Sequence, residues 1–165
     1  MINIQKATKT EDYQIIETLA KEILHEVYDP IIPAEHTTFF LNKFQTTKAI
    51  AQQIIEEGFE YHMLQFQAKN VGYIGYYVRN NILYLSKIYI LKSSRGNKIG
   101  KAALEFIIQK ATKLNVNEIE LLVNQQNDNT IQFYKINDFK IVKAITNTFS
   151  DGFSVEDYIM KKKMK

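Results

Sequence analysis

The chain contains no cysteine. Disulfide bonds and a cysteine nucleophile are therefore excluded. A zinc site would have to be assembled from the three histidines and scattered carboxylates, so no metal is expected. Proline is scarce, and both copies lie in Asp29-Pro30-Ile31-Ile32-Pro33, which must break the helix before it. No apolar run approaches the roughly 18–20 residues that a membrane-spanning helix needs. The opening MINIQKATKTED lacks the apolar core of a signal peptide. The expectation is a soluble, cytoplasmic protein with no membrane partner. Charge of one sign is not in excess either: the formal net charge is +3, too small to argue for nucleic acid. No basic stripe or base-stacking motif adds to it. Tryptophan is absent too, which decides nothing. There is no internal repeat and no low-complexity linker. At 165 residues and 45% hydrophobic, residues 1–165 read as one domain with a real core.

What is present centres on Leu83 to Leu114, LYLSKIYILKSSRGNKIGKAALEFIIQKATKL. Leu83 to Leu91 is dense in Leu, Ile and Tyr, as in a buried strand. Ile99 to Leu114 puts Ile99, Ala102, Ala103, Phe106, Ile107 and Leu114 on one helical face. Between them lies Lys92-Ser93-Ser94-Arg95-Gly96-Asn97-Lys98-Ile99-Gly100. A helix N-terminus presents free N–H groups and the positive end of the helix dipole, which suits phosphate. Gly lets a ligand approach the backbone, and Arg adds fixed charge. Strand–turn–helix units with a glycine are also ordinary structure, so spacing alone leaves both readings open. The stretch is neither a Walker A loop nor a G-x-G-x-x-G fingerprint.

Along the chain, Ile2 to Ala7 alternates like a half-buried strand. Thr8 and Glu11 resemble a capping box, ahead of a helical stripe of Ile16, Leu19, Ala20, Ile23, Leu24 and Val27. A second helical region spans about Glu35 to Glu57. A break is expected near Thr46-Thr47, because Phe39, Phe40, Phe44 and then Ile50, Ile54, Ile55 form two stripes. Gly58 ends it. Glu60 to Ala68, Val71 to Arg79 and Leu83 to Leu91 read as an antiparallel meander, with turns at Lys69-Asn70 and Asn80-Asn81. The helix from Ile99 then crosses to a strand Glu118 to Val123, implying a parallel pair. Asn127 or Asn129 caps a helix to about Ile136. Strands near Phe139 to Thr146 and Ser154 to Lys162 finish the chain, and Lys161 to Lys165 reads as a solvated end.

The central stretch resembles the acetyl-CoA motif R/Q-x-x-G-x-G/A of the GNAT superfamily of N-acetyltransferases. Arg95 matches its first position and Gly100 its last, while Lys98 stands where a Gly is usual. Lys87 to Leu91, KIYIL, resembles the family's fourth strand. Asn127-Asp128-Asn129-Thr130-Ile131-Gln132-Phe133-Tyr134 with Asp138-Phe139 resembles N-x-x-A-x-x-x-Y followed by Gly-Phe, with Thr130 and Asp138 departing from it. The element order agrees over nearly the whole chain. The resemblance implies an α/β (or α+β) fold, with a mixed, mostly antiparallel sheet of about seven strands flanked by helices. Its parallel pair splays around the cofactor. The overall architecture is similar to bacterial polyamine acetyltransferases, and the resemblance admits a homodimer.

The resemblance also implies roles. Arg95, Gly96, Asn97, Lys98, Ile99, Gly100 and Lys101 would cradle the pyrophosphate of acetyl-CoA, although Lys98 and Lys101 also read as ordinary surface lysines. Ile88, Tyr89 and Ile90 would pair with the pantetheine arm through their backbone. Asn127 would hydrogen-bond the cofactor, or serve only as an N-cap. Tyr134 would reach the sulfur as general acid, or be only a core aromatic. The acceptor would be a primary amine of a small molecule or peptide. No general base is assignable: strand four offers Ser86 and Lys87 but no carboxylate, and Glu35, Glu60, His36 and His62 are candidates by chemistry alone. Asp151, Glu156 and Asp157 are expected to meet a cationic substrate. The alternative is a catalytically degenerate CoA-binding sensor, which Lys98, Thr130 and Asp138 would fit.

Overall fold

The computed structural model describes residues 1–165. The elements are β1 (Ile2–Lys6), α1 (Thr10–Tyr28), α2 (Ala34–Phe44), α3 (Thr47–Glu56), β2 (Glu60–Phe66), β3 (Lys69–Arg79), β4 (Ile82–Ile90), α4 (Ile99–Lys113), β5 (Glu118–Asn124), α5 (Asp128–Ile136), β6 (Lys140–Thr148) and β7 (Ser154–Lys163). A short 3₁₀ turn, Lys92–Ser94, leads from β4 towards α4. All seven strands form one sheet in the order β1-β2-β3-β4-β5-β7-β6. Every pairing is antiparallel except β4 with β5. This is the mixed α/β sheet the sequence implied.

The sheet divides two apolar cores, because successive side chains of a strand face opposite ways. Tyr61, Met63 and Tyr73 pack with Ile16, Ala20, Ile23 and Leu24 of α1. Leu64, Ile74, Leu83 and Leu85 pack with Ile99, Ala103, Leu104 and Ile107 of α4. The α1 stripe is as read. Its cap differs: Asp12, not Glu11, closes the helix, with Oδ2 accepting from the N–H groups of Thr8 at 2.9 Å and Lys9 at 3.3 Å. The break between α2 and α3 falls where expected, and Thr46 caps α3 by accepting from the Ala49 N–H at 3.1 Å.

Three further local expectations need correction. The β2–β3 turn is Gln67-Ala68, with φ of 52° and 63°, and Lys69-Asn70 already belongs to β3. Asn70 is drawn into the ladder opposite Gln65, whose Nε2 donates to its Oδ1 at 3.0 Å. Leu114 caps α4 and is 49% exposed, while Leu104 and Ala111 join the buried face instead. The terminal lysines are not a free tail: Glu118 to Glu120 pair with Lys163 to Lys161, and Lys161 Nζ lies 3.0 Å from Glu118 and 3.4 Å from Glu120. The Asn80-Asn81 turn is as read, both residues holding positive φ.

Candidate active site

β4 and β5 pair only at Ile82, Leu83 and Tyr84, opposite Glu118, Ile119 and Glu120. Beyond that point β4 stays with β3 and β5 with β7, so the sheet opens. A second irregularity sits at the opening. Lys87 pairs with Gly75 and Leu85 with Tyr76, which leaves Ser86 as an extra residue, a β-bulge. The bulge reverses the strand's alternation. Leu83 and Leu85 face α4, and Ile88 and Ile90 pack against that same core. Lys87 and Tyr89 face the α1 side, towards Tyr61 and Tyr73.

Two clefts meet at this bulge. The first, about 440 Å³, is lined by Ile88, Tyr89, Ile90, Arg95, Gly100, Asn127, Thr130, Phe133 and Tyr134 among others. At its mouth none of the N–H groups from Gly96 to Lys101 donates to a backbone carbonyl; the first bond is Ala102 N–H to Lys98 O at 3.1 Å. Gly96 holds φ of 86° and Lys98 φ of 62°. Lys98 thus takes a left-handed conformation that glycine adopts without strain, and Asp138, with φ of 70°, does the same. Gly96, Asn97, Lys98 and Lys101 are exposed, whereas the Ile99 side chain is buried in the core, leaving only its N–H for a ligand. Arg95 is exposed and reaches back to Ile90 O at 3.4 Å. Asn127 occupies the N-cap position of α5, but its side chain makes no cap bond. Tyr134 is 6% exposed, and burial raises its phenol above the ordinary range.

The second cleft, about 450 Å³, lies on the α1–α3 side. Phe40, Phe44, Phe59, Tyr77 and Phe149 give it aromatic walls, and Glu57 and Asp157 bring carboxylates. Burial pushes the Asp157 carboxyl up, opposed by the hydrogen bond that Asn147 Nδ2 donates at 2.6 Å. Tyr28, Ser86, Lys87, Tyr89 and Leu122 line both clefts. Tyr28 and Tyr89 join across the junction through their hydroxyls, 3.1 Å apart.

The structure therefore brings Ile88, Tyr89, Ile90, Arg95, Gly100, Asn127 and Tyr134 to one cleft. It separates the base candidates. Glu35 lines neither cleft, Glu60 accepts from Tyr76 OH at 2.8 Å, and His62 meets Phe106 edge to face with ring centroids 4.8 Å apart. His36 lines the second cleft, with Nδ1 2.7 Å from Asp151 Oδ2. Of the three late carboxylates only Asp157 lines it; Glu156 accepts from Thr146 Oγ1 at 2.8 Å. Ser86 and Lys87, noted in the sequence only as the polar residues of strand four, stand at the junction of the two clefts. The available signal was one lysine within an apolar strand that has a glycine, Gly75, across from it.

Residues 22–139 match the model of the acetyltransferase (GNAT) family. Among solved structures, the PaiA N-acetyltransferase of Thermoplasma acidophilum, in complex with coenzyme A, is similar with a TM-score of 0.83 and 22% identity, over 99% of each chain. The Ard1 protein of Thermoplasma volcanium gives 0.76 and 19% over 99% of this chain and 98% of that one. The ribosomal-protein-S18-alanine N-acetyltransferase of Escherichia coli gives 0.72 and 19% over 100% and 95%. At such identities the likeness carries the fold.

Proposed function

The chain belongs to the acetyltransferase (GNAT) family, and from that premise we propose that it transfers an acetyl group from acetyl-CoA to a primary amine of a small cationic molecule. The observation that carries this reading is the meeting of two clefts at β4: one opens on a row of free N–H groups, the other holds aromatics and carboxylates.

The residues of the first cleft fit acetyl-CoA. The N–H groups of Gly96 to Lys101, with Arg95, would hold the pyrophosphate at the start of α4. A Cβ at Gly100 would stand 3.5 Å from Ile90 and 3.7 Å from Phe133, two residues of the cleft wall; its absence keeps that space clear. The free edge of β4 at Ile88, Tyr89 and Ile90 would pair with the pantetheine arm, and the uncommitted Asn127 amide would bond it further. When bound, acetyl-CoA supplies the activated acyl group. Tyr134, kept protonated by burial, would hold a proton for the departing sulfur. In the second cleft, Asp157 and the aromatic faces would select a cationic amine, as in a polyamine. Lys98 and Asp138 hold the positive φ that glycine adopts without strain, so the turns at these two departures are kept.

The test is thiol release from acetyl-CoA against a panel of polyamines, neutral amines and peptide N-termini. Polyamines should turn over. Asp157→Asn should raise their KM about 10-fold or more and leave that for acetyl-CoA unchanged, since a hydrogen bond to a charged group contributes about 1.5–3 kcal/mol. Coenzyme A binding without turnover of any amine would favour the sensor instead.

A further inference from the structure

Lys87 is 8% exposed and stands at the junction of the clefts. Its Nζ lies 3.1 Å from Tyr61 OH and 5.4 Å from the centre of the Phe59 ring. Room for it is made across the ladder: a Cβ at Gly75 would meet the Lys87 stem at 3.2 Å and the Tyr61 ring at 3.0 Å. No carboxylate lies within salt-bridge distance of Nζ, unlike that of Lys161.

The direction of the polar network around Lys87 is determined. Gln53 Nε2 donates to Phe44 O at 2.8 Å, so its Oε1 faces Tyr61 and accepts the phenol proton. The Tyr61 oxygen accepts from Gln45 Nε2 at 3.2 Å and from Lys87. Tyr73 OH donates to Gln45 Oε1 at 2.6 Å, which holds that amide in place. Lys87 is therefore a donor to Tyr61. An amine that donates one N–H there and is neutral keeps a lone pair for another partner.

We infer that Lys87 takes the proton from the acceptor ammonium at the junction of the two clefts. The inference rests on the acetyltransferase reading above and supplies the base that no carboxylate of β4 provides. In the step, the ammonium gives one proton to the Lys87 amine, and its nitrogen forms the C–N bond as the C–S bond breaks. Sulfur takes the Tyr134 proton, and the second nitrogen proton restores the phenol. Lys87 releases its proton to water, so one proton leaves per turnover.

The surroundings agree. Burial pulls the Lys87 ammonium down to about 7, against an upward pull from Glu57, and a catalytic base works best near the operating pH. The neighbouring phenols Tyr28, Tyr61, Tyr77 and Tyr89 are all pushed up and stay protonated. Glu57, Asp157, Arg79 and His36 are the other ionisable groups lining that cleft. None of them is within hydrogen-bond reach of Nζ.

The experiment compares the wild-type chain with Lys87→Met and Lys87→Gln, following kcat/KM for a polyamine against pH. The wild type should show a rising limb with an apparent pKa near 7. Both variants should lose that limb and about 10²–10⁴-fold of turnover, the usual share of a general base, while binding coenzyme A within twofold of wild type. A limb that persists in either variant overturns the inference and leaves the acetyltransferase reading standing. A wild type that binds coenzyme A but acetylates no amine overturns that reading, and the inference with it. Labelling the lysine Nζ with ¹⁵N gives a measurement on the unaltered chain. One resonance should titrate near 7 and move when polyamine is added; no Nζ titrating below 9 also overturns the inference.

Discussion

Tyr134 stands on α5 between Phe133 and Phe139, each ring centred 5.2 Å away. Those contacts hold the ring without using its hydroxyl. Tyr134→Phe should therefore keep the packing and delete the proton donor. Turnover should fall about 10²–10⁴-fold, with little change in the KM for acetyl-CoA. Unfolding free energy should drop by no more than about 1–2 kcal/mol. Stopped assays and a denaturation curve check both; a variant turning over at the wild-type rate would make Tyr134 a packing residue only. Lys98 shows another residue-scale effect. A left-handed conformation costs a side chain about 1–2 kcal/mol relative to glycine, so a departure from the motif can survive as modest local strain rather than as a lost turn.

At the scale of elements, β2 carries a titratable group on the face opposite Tyr61. His62 packs against Phe106 of α4 and Tyr76 of β3, and its Nδ1 finds no hydrogen-bond partner. Burial lowers its pKa from 6.5 to about 4; Glu60, with Oε1 3.9 Å from Nε2, pulls the other way without winning. Between those values the unfolded chain binds more protons than the native one, so stability rises with pH through that window. It is fully present above about pH 6.5 and lost as pH falls towards 4. The unfolding free energy of the wild type should fall about 2–3 kcal/mol more between pH 7 and 4 than that of His62→Phe. Denaturant titrations at the two pH values check this, and parallel losses would mean that burial does not depress His62.

The whole molecule is opened by its own sheet. Three residue pairs join β4 to β5 before the strands part. A ligand seated in the gap would contact β4, the start of α4 and α5 together. Binding only the folded chain, coenzyme A at 100 times its Kd should stabilise it by about 2.7 kcal/mol. For a domain of this size that raises Tm by about 5–10 °C. A thermal melt checks it, and an unchanged Tm at millimolar coenzyme A would remove the cofactor from the cleft. No helix is long and apolar enough to cross a membrane.

Much of the fold was legible because its signals are local. The α1 stripe, the break before Thr47, the Asn80-Asn81 turn and the start of α4 each depend on side-chain periodicity or on residues that tolerate positive φ. The resemblance picked out part of the first cleft, because Ile88 to Lys101 and Asn127 to Tyr134 are contiguous stretches; Tyr28, Leu85 and Leu121 to Val123 add to its lining from elsewhere in the chain. The second cleft was not legible. Its walls come from α1, α2, α3, β3, β4, β5, β6 and β7, and no window of sequence holds more than a few of them. Lys87 is the clearest case. Simple alternation from Leu83 and Leu85 would have turned it towards α4 with them, and a lone lysine in a strand reads as surface. The bulge at Ser86 and the missing Cβ of Gly75 turn it to the other face and make room for it there. Its depressed pKa follows from that burial. Sequence by itself determined which residues could fold together locally. Tertiary structure decided which were removed from water, because desolvation depends on neighbours distant in the chain.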